Sequence, residues 1–147
     1  MSKPGKKPKQ SSFPPGRTVR IGGDPDSYQR EPPVWKIDIF DVEGPWGKCG
    51  LDPAHVWADI VPKLKNFESM KWSDIVARKD LNHSVSIDSL TKEAKDRVLK
   101  LRLDVSELFR FRLTGKQRLW GIRDRNIFRI LWWDPEHLIC PSTLRNT

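Results

Sequence analysis

Between Arg110 and Arg129 the chain carries seven basic side chains, Arg110, Arg112, Lys116, Arg118, Arg123, Arg125 and Arg129, and a single acid, Asp124. A guanidinium group is planar and can donate a bidentate pair of hydrogen bonds to a phosphate, so several on neighbouring strands suit a polyanion. Side chains alternate along a strand, which puts Arg118 on one side with Trp120 and Ile122, and Arg123 on the other with Leu119. At least one of that pair must therefore lie at an edge or meet a carboxylate. The same arginines would also serve as the wet side of a half-covered antiparallel sheet, although such a face normally mixes charge signs.

Beyond this run stands Asp134-Pro135-Glu136-His137, the densest group of ionisable side chains. An imidazole exchanges protons near neutral pH, so His137 is a candidate general acid or base that the adjacent carboxylates could orient or tune. Asp-Pro is also ordinary turn chemistry, and a purely structural turn explains the group equally well. His55 and His83 are isolated and lack the spacing of a metal pair. Cys49 and Cys140 are too few for a four-ligand zinc site, and no metal or cofactor is expected. Nucleophile-elbow, phosphate-loop and dinucleotide glycine motifs are absent, which argues against the common hydrolase, nucleotide-triphosphatase and dehydrogenase classes. Trp120, Trp132 and Trp133 could stack on splayed bases or fill a core, and alternation predicts one of Trp132 and Trp133 inside and the other outside.

These groups need a scaffold. At 147 residues, with 37% hydrophobic residues, seven Trp and six Phe, the chain has material for one core, and its formal charge of +8 attracts phosphates. Residues 1–33 hold seven of the twelve prolines and seven Lys/Arg against three acids, composition too poor in apolar groups to offset chain entropy, so a disordered basic arm is expected there. The lysines near the start precede no apolar stretch, and neither a secretory signal nor a membrane segment is expected. The chain is expected to be cytoplasmic.

A single α+β domain is expected over residues 34–147. Alternation from Val34 to Phe40 predicts a strand, closed by the turn Gly44-Pro45-Trp46-Gly47. Asp52-Pro53 opens a helix with the apolar stripe Trp57, Ile60, Val61, Leu64 and Phe67, which Pro62 should kink or split. Ser69 can cap a short second helix through Trp72, Ile75 and Val76 to about Lys79. A polar loop follows, and a third helix opens at Asp88 or Ser89 with Leu90, Ala94, Val98 and Leu101 inward. The period then changes to that of a meander, with strands at 109–113, 119–123 and 127–133 and a short further strand at 138–140.

Helices followed by an antiparallel meander carrying basic residues resemble the RelE/ParE superfamily of toxin-antitoxin proteins. The likeness covers about residues 53–141 and is carried by the run Arg112-Leu113-Thr114-Gly115-Lys116-Gln117-Arg118-Leu119-Trp120-Gly121-Ile122-Arg123-Asp124-Arg125-Asn126-Ile127-Phe128-Arg129-Ile130-Leu131, similar to that family's strand, turn and strand with Trp-x-x-Arg. What the resemblance implies is a RelE-like fold and a metal-independent endoribonuclease that cleaves messenger RNA, often on the ribosome, with an antitoxin protein as partner. It further implies Arg118 and Arg123 as the groups that stabilise phosphate charge and His137 as the proton-transfer residue, while the basic run itself makes Arg110, Arg112, Lys116, Arg125 and Arg129 the candidate RNA-binding residues. The alternative is a noncatalytic nucleic-acid-binding module, or a protein-interaction module in which an exposed Trp133 would matter most.

Overall fold

The computed structural model describes residues 27–141. A five-stranded sheet of order β1-β5-β4-β3-β2 forms its centre, with β1 at Val34–Lys36, β2 at His83–Ser86, β3 at Glu107–Arg112, β4 at Arg118–Asp124 and β5 at Ile127–Asp134. All neighbours are antiparallel except β1, which runs parallel to β5 with Val34 beside Ile127. The protein is therefore an α+β domain with a mixed sheet.

The meander follows from its turns. Gly115 adopts φ +57 between β3 and β4, a left-handed conformation that costs glycine little, and Arg125 takes φ 60 between β4 and β5. Between Trp120 and Gly121 the β4–β5 register shifts, leaving Leu131 as an extra residue on β5. A side chain at position 121 would place its Cβ 2.1 Å from the Arg129 carbonyl oxygen, so the strands approach this closely only over glycine.

Both faces of the sheet are covered. Residues opposite one another on antiparallel strands share a face, so Arg110, Trp120 and Trp132 form one row and Arg112, Arg118 and Asp134 the next. Helix α4, Lys92–Lys100, packs on this side, and its Ala94 and Val98 join Trp46, Trp120, Trp132 and Ile139 in a buried core. On the other side Phe109, Phe111, Leu119, Phe128 and Trp133 pack against Phe67, Trp72 and Ile75 from the preceding helices. Trp132 and Trp133 are consequently both inside, at 0% and 1% exposure, contrary to the expectation that one would face solvent. Alternation separates two faces; it does not say whether the second is wet.

Several element boundaries also differ from expectation. The first strand stops at Lys36, because Ile37 to Phe40 closes a turn, with Phe40 N–H donating to the Ile37 carbonyl at 3.1 Å. The helix begun at Asp52, whose side chain caps Ala54 N–H at 2.9 Å, runs as α1, Pro53–His55, then a π-type turn at Val56–Ile60, then α2, Val61–Phe67. Pro62 has no N–H to give and its ring crowds the preceding turn, so the helix widens there. The extra residue rotates the earlier part out of phase, and Trp57, expected in the apolar stripe, is 74% exposed.

Helix α3, Trp72–Ala77, begins after Lys71, because the Ser69 hydroxyl donates back to the Asn66 carbonyl at 2.6 Å instead of capping. Polar residues expected as loop form β2, which alternation could not reveal because only Val85 faces the core. Residues 87–89 make a 3-10 turn, and α4 starts at Lys92, later than the expected Asp88 or Ser89, capped by Thr91. No strand forms at 138–140, where the chain turns around the Asp134 carboxylate. Of the expected basic arm, residues 1–26 lie outside the described residues. Ser27–Arg30 form a 3-10 turn that belongs to the fold, held by the contacts of Tyr28 and Gln29 with Arg123.

Candidate functional site

Three of the seven basic residues gather beside His137. Arg112 and Arg118 are cross-strand partners, Arg110 lies two residues along β3 on the same face, and Asp134 is opposite Arg118 on β5. Pro135 and the left-handed backbone of His137, φ 60, then bring the chain back along this corner of the sheet. Both Asp134 oxygens fix that return, one accepting the Leu138 N–H at 2.9 Å and the other the Ile139 N–H at 3.0 Å. At the rim, Lys116 on the β3–β4 turn pairs with Glu136 at 3.8 Å.

Arg110 and Arg118 are 8% and 7% exposed, yet neither forms an ion pair among the described residues. Arg118 Nη1 donates to the Gly115 carbonyl at 2.6 Å and the Gln117 carbonyl at 3.0 Å, Arg110 Nη2 reaches the Leu81 carbonyl at 3.4 Å, and the Nε of each has no partner. Burial pushes the Arg118 pKa down to about 10, with the Arg110 and Arg112 charges adding to the effect and Asp134 opposing it, so it stays protonated at neutral pH. Burial likewise lowers Arg110. A buried cation without a direct ion pair is costly, and although the Asp134 charge offsets part of this, an anion entering this corner would remove more of it.

Burial, and then the charges of Arg118, Arg110 and Arg112, depress the His137 pKa below its usual 6.5 against the pull of Asp134. Its imidazole is thus neutral at physiological pH, with a buried Nε2 that has no hydrogen-bond partner. No carboxylate orients the ring, because Asp134 is engaged with backbone. The Cys140 thiol donates to the Ser89 carbonyl at 3.4 Å, and burial pushes its pKa up, away from reactivity.

Of the remaining four basic residues, three go elsewhere and Lys116 stays at the rim. Arg123 lies on the opposite face, its guanidinium carbon 4.1 Å from the centre of the Trp72 ring and 5.3 Å from that of Tyr28, with its Nη2 on Gln29 and its Nε donating to the Arg125 carbonyl at 3.0 Å. Arg129 grips both Asp38 oxygens at 3.2 and 3.0 Å, Arg125 pairs with Asp124 at 3.3 Å on an exposed turn, and Lys116 occupies the rim already described. The seven residues therefore do not converge on one concave face; alternation, and β4 in particular, sends Arg118 and Arg123 to different sides. Sequence reasoning also missed the contribution of the β2 approach, since the Leu81 carbonyl and the Asn82 side chain, which accepts the Arg112 N–H at 3.1 Å, come from the segment expected to be a loop. Among the described residues no three His, Cys, Asp or Glu side chains form a metal-binding group, and no helix is long and apolar enough to cross a membrane.

Replacing Arg123 with Ala should lower stability by about 1–2 kcal/mol, the scale of a partly desolvated cation–π contact with its hydrogen bonds, and leave the His137 corner intact. Chemical denaturation checks the first part, and the unchanged titration of His137 by NMR the second.

No protein-family model, no curated protein and no solved structure matches this chain.

Proposed function

We propose that the protein cleaves RNA at the corner formed by Arg110, Arg112, Arg118 and His137, in the manner implied by its resemblance to RelE-type endoribonucleases. The observation that carries this reading is a pair of buried arginines that make no ion pair among the described residues, beside a neutral histidine. Cleavage then proceeds as a transesterification. The His137 imidazole takes the proton of a ribose 2′-hydroxyl, the 2′-oxygen attacks the adjacent phosphorus, and the bond to the 5′-oxygen breaks, the imidazolium returning the proton to that oxygen, to leave a 2′,3′-cyclic phosphate and a 5′-hydroxyl. The arginines offset the charge that grows on the non-bridging oxygens. Arg123 and Arg129 act as structural residues in this scheme, and an antitoxin partner belongs to the same family-derived proposal.

The test is incubation of the purified protein with RNA, free and on ribosomes, followed by analysis of the new ends. Cyclic phosphate and 5′-hydroxyl termini are expected from the wild type and not from His137→Ala. Intact RNA under both conditions would sink the catalytic reading.

The pH dependence has a defined sign. Because the His137 pKa is lowered from 6.5, the midpoint of the acid limb of the activity profile should lie below 6.5 and activity should decline as pH falls through it. Removing a neighbouring charge, as in Arg112→Ala, should raise the His137 pKa and move this acid limb to higher pH. For stability, the folded pKa lies below the unfolded one, so the unfolded chain takes up the proton first and stability declines as pH falls from 6.5 towards the folded value.

A noncatalytic nucleic-acid-binding role draws support from one feature, the absence of a carboxylate to orient His137. RNA affinity would then drop steeply with salt, as counterion release requires, and His137→Ala would bind as wild type does without any cleavage to lose.

A further inference from the structure

A cavity of about 540 Å³ opens beside the arginine corner, between the end of α2, the α3–β2 loop and the β3–β4 turn. Its wall is apolar where Phe67, Met70, Leu81 and Leu113 contribute, and cationic where Lys63, Arg78 and Arg112 do, with no acid among the lining residues. Lys63 and the Arg112 guanidinium have no carboxylate partner among the described residues, while Arg78 has a loose one in Asp80 at 3.9 Å.

The cavity and the corner share structure. Arg112 belongs to both. The Leu81 and Gly115 carbonyls that hold Arg110 and Arg118 are carried by residues lining the cavity. A ligand with its phosphate on Arg112 would therefore have whatever is attached to that phosphate beside this opening.

We propose that this cavity receives a nucleobase of single-stranded RNA next to the phosphate bound at the corner, which rests on the RNA-cleavage reading above. The volume is in the range of small-molecule sites, and the combination is what a nucleotide presents, a flat apolar ring with anionic oxygens on both sides. Phe67, Met70 and Leu113 offer a surface for the ring, and Lys63 and Arg112 face the phosphates that flank it. The Asn66 carboxamide and the Thr114 hydroxyl, both exposed at the mouth, are positioned to discriminate between base edges. A base-paired nucleotide cannot leave its stack without a cost, so the site prefers unpaired RNA.

The experiment uses the full chain and a 2′-O-methyl RNA 12-mer, which cannot be cut through its 2′-oxygen. Binding is compared with a series in which each position in turn is abasic, and with tripolyphosphate, which carries charge and no base. Loss of one specific base should weaken binding by about 10-fold or more, the effect of one base–protein stack, while the other positions change little. Thr114→Trp, a filling substitution at the exposed mouth, should weaken RNA binding by a similar factor and leave tripolyphosphate binding unchanged. A flat abasic profile with tripolyphosphate still bound overturns the base pocket and leaves the arginine corner standing. Failure to bind either RNA or tripolyphosphate overturns both. The abasic series needs only the wild type, so it decides the matter even if Thr114→Trp does not fold.

Discussion

On the proposed RNA-cleavage reading, Arg118→Ala is expected to reduce cleavage by about 10²–10³-fold in kcat, the effect of removing one preorganised donor from a site of charge development, with a smaller change in KM. Arg118 is singled out because it is buried, sits opposite Asp134 on the His137 side of the sheet and has an Nε without a partner. It also ties down the Gly115 and Gln117 carbonyls, so circular dichroism and thermal melting must accompany the kinetics. Arg118→Lys keeps the charge but loses the planar fork, and should recover binding better than rate. The control is Arg123→Ala, on the opposite face, whose rate should remain within about two-fold of wild type because no transition-state contact is lost. A well-folded Arg118→Ala protein that cuts RNA at the wild-type rate would exclude the corner as the site of catalysis.

The largest effect on stability is expected at Asp41. It is 3% exposed and accepts from Arg97 Nε at 2.7 Å, Arg97 Nη2 at 2.6 Å and Trp132 Nε1 at 2.9 Å, which joins the Phe40–Gly47 segment to α4 and to the middle of β5. Asp41→Ala would leave a largely buried guanidinium and a buried indole N–H without partners. The cost should be about 3–5 kcal/mol, as for other broken buried pairs, or a fall of about 10–20 °C in Tm. Burial works to raise the Asp41 pKa, but the hydrogen bonds from Arg97 and Trp132 and the Arg97 charge overcome it and hold the carboxyl below its ordinary 3.8. The folded pKa is thus below the unfolded one. The contribution is complete above the unfolded value and disappears as pH falls through the folded one, so wild type should lose stability in that acid range and Asp41→Asn should show less of this loss. Urea denaturation across pH 2–7 measures both effects.

Local patterns carried a good deal of this architecture. The three strands of the meander, with their turns at Thr114-Gly115-Lys116 and Asp124-Arg125-Asn126, follow from period-two alternation and turn chemistry that act over a few residues. Asp52-Pro53 started a helix as a cap and a preset φ should, and a disturbance near Pro62 was legible because the missing N–H is a property of the residue itself, although the helix widens at Val56–Ile60 and is not split. β2 was not legible: His83-Ser84-Val85-Ser86 has one inward apolar residue, and its strand conformation comes from the ladder it makes with β3.

For the candidate site, the sequence by itself determined the supply of arginines, their alternation, the separation of Arg118 from Arg123 across β4, and the presence of His137 beyond the last strand. Tertiary structure alone decided which charges are left without an ion pair. Asp38 arrives from 91 residues away to occupy Arg129, Gln29 and Trp72 take up Arg123, and Asp134 spends both oxygens on the turn that returns His137 to the arginines. Charge and periodicity are properties of neighbours along the chain. Pairing and burial depend on neighbours in space, and here they leave Arg110, Arg112 and Arg118 as the field around a neutral imidazole.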